Sequence, residues 1–254
     1  MPLLALKFSF LKVKSLSMSK FYQLDKYCAI KINGDRGREF LQGQASCDLN
    51  TDAKHWIGLF CDEKGFVLSN ATIVLDDNFY LVVRECVAES LVSDLTKYAP
   101  FYKCSFEVTD KRVFAEVTNK TIRKSFEHSE DSSTNTSDWE KACIENFQFD
   151  IDCEMFGKYR PQELGYDLEK FISYEKGCYR GQEIIARVTF LGKKNKAAVI
   201  FANAKSPITD VEGKSIGKEV FSKNFETLTL NHYYIEKNDY FVKGEQISPY
   251  ASQW

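Results

Sequence analysis

The chain contains no C-x-x-C pair, although eight of its 254 residues are cysteine. That absence excludes a zinc ribbon and a ferredoxin-like run of cluster ligands. Neither sign of charge is in excess: 34 Lys and Arg stand against 36 Asp and Glu. A protein that binds nucleic acid through bulk positive charge is thereby disfavoured, and any anion site must be a local patch. No uninterrupted apolar run reaches the roughly 18 residues that a membrane span needs. Histidine is scarce, with His55, His128 and His232 the only three, which leaves few imidazoles to act as a general base. What the chain does have is 44% hydrophobic and 14% aromatic residues, enough to bury a sizeable core in one large domain or two to three small ones.

The first residues, "MPLLALKFSFLKVKSLSMSKF", carry Lys7, Lys12, Lys14 and Lys20 with neither an acid nor an arginine. These lysines break any secretory h-region, and no small-residue cleavage site follows. Met18 is expected as the natural start, with residues 1–17 an extension or a misassigned start. The alternative, a basic, serine-containing mitochondrial presequence, would send the protein to the mitochondrial matrix rather than leave it in a bacterial cytoplasm. The scattered cysteines are expected to be mostly reduced and buried, as in a cytosolic protein, with only Cys178 in an exposed setting.

Periodicity places strands and helices in alternation. "YCAIKING" reads as a strand and "GDRGREFLQGQ" as a turn entering a helix that ends at Gly43. "GLFCDEKGFVLSNATIVLDDNFYLVV" reads as three antiparallel strands with turns at Glu63-Lys64-Gly65 and Asp76-Asp77-Asn78. Val87, Leu91, Leu95 and Tyr98 fall on one face of a helix that stops before Pro100. The polar tract Glu127–Asp138 reads as a mobile loop, and a helix is expected after Trp139. From Lys196 onward, short alternating segments separated by Gly, Asn and Asp read as a small β-barrel or sandwich. The class is α+β.

One stretch invites a chemical reading. "KGCYRGQE", Lys176 to Glu183, sets a cysteine between two glycines and two basic residues just ahead of a predicted helix that starts near Gly181 and carries Ile184, Ile185 and Val188 on its apolar face. Unpaired amides at a helix start, with Lys176 or Arg180 nearby, would favour a thiolate at Cys178. Gly177 and Gly181 would let the backbone approach a ligand closely. The plain alternative is a strand-to-helix turn in which Cys178 fills a small core volume. Glu183 and Arg187, at i and i+4, form either an ordinary helix ion pair or part of a cavity wall.

"KGCYRGQE" followed by "IIAR" resembles the K-G-C-Y-x-G-Q-E signature of the YgfZ family, folate-binding proteins related to the glycine-cleavage T-protein. "GDRGREFLQGQASCDL", "FCDEKGFVLSN", "LTKYAPFYKC" and "RPQELGYD" resemble further blocks of that family, in family order over roughly residues 27–187. The resemblance implies a ring of α+β subdomains around a central folate cavity, with residues 18–192 forming the folate-binding region in two subdomains and residues 193–254 a C-terminal antiparallel β-barrel. It implies tetrahydrofolate or a one-carbon derivative as cofactor. It also implies a role in assembling or repairing iron–sulfur clusters in a subset of enzymes, including radical enzymes that thiolate tRNA.

Iron–sulfur client enzymes and cluster-assembly proteins are then the expected partners of a monomer or weak oligomer. Cys178 matches the family's functional cysteine; Lys176, Gly177, Tyr179, Gly181, Gln182, Glu183 and Arg187 match the rest of its motif. Gln42 reads equally as a folate contact or as a helix-end polar residue, and Tyr174 and Tyr179 are better read as core aromatics than as pterin-stacking rings. No resident metal is expected, because a stable cluster needs about four ligands.

Three other readings remain. Aminomethyl transfer, the T-protein reaction, depends on a carboxylate near the reacting nitrogens, yet Ser69 and Asn70 occupy the matching positions and neither ionises; Asn70 is expected at the cofactor without that role. A cysteine hydrolase would need one of the three histidines within reach of Cys178. A folate-regulated scaffold would need no chemistry at Cys178. "ENFQFDIDCEMFGKY" departs from the family by lacking a Gly-x-Pro turn, which puts the cavity wall there in question.

Overall fold

The computed structural model describes residues 19–118, 121–192, 195–204 and 207–254; the expected extension 1–17 lies outside them. Chain order begins with strands β1 (Lys20–Gln23) and β2 (Tyr27–Asn33), helix α1 (Gly37–Gln44), strands β3 (His55–Cys61), β4 (Val67–Leu75) and β5 (Phe79–Arg84), and helix α2 (Glu85–Thr96). A 3-10 turn at Ala99–Tyr102 leads to β6 (Ser105–Thr109), β7 (Phe114–Val117) and β8 (Ile122–Ser125). Helices α3 (Thr136–Glu145), α4 (Pro161–Leu164), α5 (Leu168–Phe171) and α6 (Gln182–Leu191) follow. The chain closes with β9 (Lys196–Ala202), β10 (Lys218–Asn224), β11 (Thr229–Glu236), β12 (Tyr240–Val242), β13 (Glu245–Ile247) and β14 (Ala251–Ser252).

The first half centres on a five-stranded antiparallel sheet in the order β3-β4-β5-β2-β6. Its middle strands are buried almost throughout: β4 has eight successive buried residues from Val67 to Val74. One face is covered by α2, which packs on β2, β5 and β6 and buries Val87, Ala88, Leu91 and Leu95. A three-stranded sheet, β1-β7-β8, lies beside it. The last part pairs as a four-stranded antiparallel sheet, β10-β11-β9-β14, with the hairpin β12-β13 bridged by Phe241 to Thr209 in the connection between β9 and β10. The expected α+β class and the mixed antiparallel sheets are present.

Several boundaries differ from the sequence reading, each for a local reason. Helix α1 continues past Gly43 to Gln44 and ends where Ala45 turns extended. The tract 127–138 is anchored rather than free: Ser133 exchanges backbone hydrogen bonds with β1, donating to Phe21 and accepting from Gln23. Its last residues already form the first turn of α3, capped by the Asn135 side chain accepting from the Ser137 amide. Tyr98 lies beyond α2 and supplies a ring beneath the Arg180 guanidinium. On α6 only Ile185 is fully buried, because Ile184 and Val188 face the half-open side.

Candidate functional site

The motif loop is built against the end of α1. A helix leaves its last carbonyls without intrahelical partners, and here the loop supplies them. The Lys176 ammonium donates to the carbonyls of Gln42, Ala45 and Cys47 at 2.8, 2.7 and 2.7 Å, and the Arg180 amide donates to the Gly43 carbonyl. Three acceptors match the three N–H donors of an ammonium, a favourable place for a cation at a helix C-terminus. Burial lowers the Lys176 pKa to about 8 against the pull of Cys47 and Asp48.

Arg180 is committed in the same way. Its Nε donates to the Cys61 carbonyl, its guanidinium pairs with Asp94 at 2.5 Å, and the Tyr98 ring lies beneath it. This corrects the expectation that Lys176 or Arg180 supports a thiolate at Cys178. Both are buried cations, which must be paired where they lie, and both head groups have been drawn to other partners.

Gly181 is required by geometry. It caps α6 with φ of 83°, and a Cβ there would stand 2.5 Å from the Asp62 carbonyl oxygen and 3.2 Å from the Cys61 Cβ. The turn at Gly65 reaches α6 at the same spot, against Ile184 and Ile185. Gly177 is different: a side chain there would meet nothing within 4 Å. Cys178, its neighbour, is exposed. The loop therefore holds Cys178 out on a braced support with open space beside it.

The remaining motif residues divide by burial. Tyr179 is buried in the core with Lys176 over its ring, and its hydroxyl is unpartnered. Gln182 accepts from the Tyr179 amide through its side chain. Glu183 and Arg187 are both exposed, and among the described residues no ion pair joins them, a correction to the ion-pair reading with a simple cause: an exposed i, i+4 pair gains only a few tenths of a kcal/mol, about what its side-chain ordering costs. Gln42 is spent locally, donating to Asp48 and accepting from the Leu49 amide.

Asn70 belongs to another place. It is buried on β4, donating to Asp150 at 2.8 Å and to the Phe149 carbonyl, and accepting from the Ile151 amide. Asp150 also accepts from Tyr27 at 2.8 Å and pairs with Lys124 at 2.5 Å. This carboxylate is thus held by three side chains, Asn70 and Lys124 on one oxygen and Tyr27 on the other. It lies in the wall of a cavity of about 280 Å³, with Tyr27, Trp139, Phe149 and Phe221 as its aromatic surfaces. Across it Glu140 is bracketed by Arg84 at 3.0 Å and Lys223 at 2.8 Å. Burial works against ionisation of Glu140, but Lys223 and Arg84 together hold its carboxyl below the usual carboxylate range. Burial, reinforced by Asp150, pushes the Tyr27 phenol well up, so it stays a hydrogen-bond donor.

The ten residues singled out in the sequence thus fall into two groups. Gln42 and the residues from Lys176 to Arg187 belong to α1, the motif loop packed on its end and the start of α6, while Asn70 stands behind the cavity wall; none of the ten lines the cavity itself. Sequence reasoning missed Tyr27, Arg84, Trp139, Glu140, Asp150 and Lys223, which come from four separate elements and a loop and carry no local pattern. One signal was available: "FQFDIDCEM", noted only as a departure, supplies Phe149, Asp150, Asp152, Glu154 and Met155 to the wall.

The histidines offer no base to Cys178. His55 meets Arg123, His128 sets its ring edge-on to Phe114, and His232 is buried among Phe147, Phe149 and Phe221. The expectation that only Cys178 is exposed is corrected, since Cys86 and Cys153 are exposed too.

The architecture is that of the glycine-cleavage T-protein. The crystal structure of glycine cleavage system aminomethyltransferase T from Bartonella henselae superposes with a TM-score of 0.62 over 90% of this chain and 83% of that one, at 13% identity. In sequence, the chain is 28% identical to the tRNA-modifying protein YgfZ of Escherichia fergusonii, over 74% of this chain and 73% of that protein. It is 30% identical to an uncharacterized protein of Haemophilus influenzae, over 72% of this chain and 74% of that one, and belongs to one family with it. No family model matches the chain. Among the described residues no helix is long and apolar enough to cross a membrane.

Proposed function

We propose that this chain is a YgfZ-type folate-dependent factor that assists assembly or repair of iron–sulfur clusters in a subset of enzymes, including those that thiolate tRNA. In this reading the α+β pieces form a ring around the cavity, the C-terminal strands complete a barrel, and cluster-assembly proteins and client enzymes are the partners. The observation that carries it is the joining of a T-protein fold, together with sequence similarity to a YgfZ protein, to a cavity whose most buried carboxylate, Asp150, is already engaged by three side chains. Asp150, buried and held as an acceptor by Asn70, Lys124 and Tyr27, is engaged with the protein's own donors rather than free to act as a base on a reacting amine, which disfavours aminomethyl transfer.

The cavity's side chains fit tetrahydrofolate or a one-carbon derivative by chemistry. The carboxylates of its glutamate need cations, which Arg84, Lys158 and Lys223 supply, and the buried Arg84 Nε has no hydrogen-bond partner among the described residues. A bicyclic ring needs aromatic surface and hydrogen-bond acceptors, which Tyr27, Trp139 and Glu140 offer. When bound, the folate would supply one-carbon or redox chemistry at its ring. The protein's part is to orient it, exclude water and keep Tyr27 protonated. Cys178, with Lys176, Gly177, Tyr179, Gly181, Gln182, Glu183 and Arg187 around it, is then a second working point on the outer face, where a partner can reach the thiol.

Anaerobic calorimetric titration with tetrahydrofolate tests the cavity. Wild type and Cys178→Ser are expected to bind alike, and Arg84→Met with Lys223→Met to lose at least about tenfold, the worth of one lost charge-assisted contact. No binding by the wild type would overturn the proposal. Replacing Cys178 by serine in cells should lower iron–sulfur enzyme activity; full activity would point to a scaffold in which folate regulates docking.

A further inference from the structure

Cys86 and Cys153 are far apart in sequence but share one corner of the fold. Cys86 is the second residue of α2, and Cys153 lies in the turn that follows β-free segment 146–152, where the Asp152 carboxylate accepts from the amides of Glu154 and Met155. The Cys153 amide donates to the Cys86 sulfur at 3.2 Å. That contact sets the two residues side by side, close enough for their thiols to interact, and a bond between them needs Cβ atoms about 3.5–4.5 Å apart. Both residues are exposed, so an oxidant has access. Arg84, two residues before Cys86, and Asp152 and Glu154, on either side of Cys153, all line the cavity.

From this juxtaposition of two exposed thiols we infer that Cys86 and Cys153 form a thiol–disulfide exchange site, whose reactant is a low-molecular-weight disulfide of the glutathione class. The chemistry balances without any other redox partner. The Cys153 thiolate attacks one sulfur of the external disulfide, forming a mixed disulfide and releasing one small thiol once the leaving thiolate takes a proton. The Cys86 sulfur then attacks the Cys153 sulfur, forming the Cys86–Cys153 bond and releasing the second small thiol. Two protein thiols are oxidised and one external disulfide is reduced to two thiols. Burial, with the adjoining Cys153 thiol, pushes the Cys86 pKa up, which suits Cys86 to the second, resolving step. The bond would tie the cavity-lining turn at 152–155 to the start of α2, fixing Arg84 relative to Asp152 and Glu154.

The test uses the full chain carrying Cys178→Ser, so that the third exposed thiol does not compete. After incubation with oxidised glutathione and blocking with an alkylating agent, peptide mass mapping without reductant is expected to show one linked peptide pair, Cys86 with Cys153, and an intact mass lower by about 2 Da with no glutathione retained. Adding Cys86→Ser removes the resolving thiol and should leave Cys153 carrying a stable glutathione adduct. Both cysteines recovered separately alkylated, or both carrying glutathione in the parent protein, would overturn the inference. So would a Cys86→Ser protein whose Cys153 gains no adduct. The readout is independent of folate, so it succeeds or fails separately from the cofactor proposal.

Discussion

Acidification should destabilise this protein through His232, and the size of the loss follows from where the ring sits. His232 is 0% exposed, stacked on Phe221 at 5.1 Å and edge-on to Phe147 and Phe149 at 5.7 and 5.4 Å. Its Nε2 donates to the Glu163 carbonyl at 3.2 Å, and its Nδ1 has no partner. Protonation would place a charge among three aromatic rings and a second N–H with nothing to accept it, so burial lowers the pKa to about 4.

The unfolded imidazole titrates near 6.5. Between those values the unfolded chain binds more protons than the folded one, so stability is fully present above about pH 6.5 and falls as the pH drops toward 4. At 1.36 kcal/mol per unit, the loss is about 2 kcal/mol by pH 5 and about 3 kcal/mol by pH 4. Urea unfolding of wild type and His232→Phe at pH 7, 6 and 5, followed by tryptophan fluorescence, isolates this contribution from the carboxylates, which titrate in both proteins. The wild type should lose about 2 kcal/mol relative to the variant between pH 7 and 5. A difference that stays constant with pH would refute the argument.

Other consequences can be measured in the same way. Lys176→Met should lower the unfolding free energy by about 2–4 kcal/mol, because it strips three carbonyls of their donor at once; a loss under about 0.5 kcal/mol, typical of surface changes, would show that water replaces the ammonium. Gly181→Ala should cost at least about 2 kcal/mol from backbone strain and the clash with the Asp62 carbonyl, read as a shifted urea midpoint, and a neutral result would contradict the 2.5 Å approach. Asn70→Asp should also destabilise, since it replaces two donated hydrogen bonds with a carboxylate beside Asp150. Like charges so close raise one pKa of the pair, so this variant's deficit should grow as pH rises above 5, and a deficit that shrinks with pH would reject that geometry.

The strands and helices of the first half were legible because their signals are local: the turns that bound Val67–Leu75, the i, i+4 rhythm of Val87, Leu91 and Leu95, and glycine at the turns. The motif loop was legible as a place but not as a set of contacts. Sequence put Lys176 and Arg180 beside Cys178, whereas buried cations seek acceptors wherever the fold offers them, and these lay on α1, β3 and α2. The cavity was the least legible feature. Tyr27, Arg84, Glu140, Asp150 and Lys223 sit on strands, a helix and a loop up to the full width of the chain apart, and only the packing of the C-terminal sheet on residues 147–166 assembles them. Even "FQFDIDCEM" announced itself as an irregularity rather than as a wall.

The contact between Lys176 and the end of α1 has a kinetic side. Helix α1 has only eight residues, too few to persist alone in water, and its terminal carbonyls wait for donors that lie 134 residues further along the chain. Closing so long a loop is entropically costly before any contact rewards it, so α1 should acquire its protection from hydrogen exchange only when the Lys176 loop docks. The segment that displays Cys178 and the helix it caps would then open and close together, as one cooperative unit.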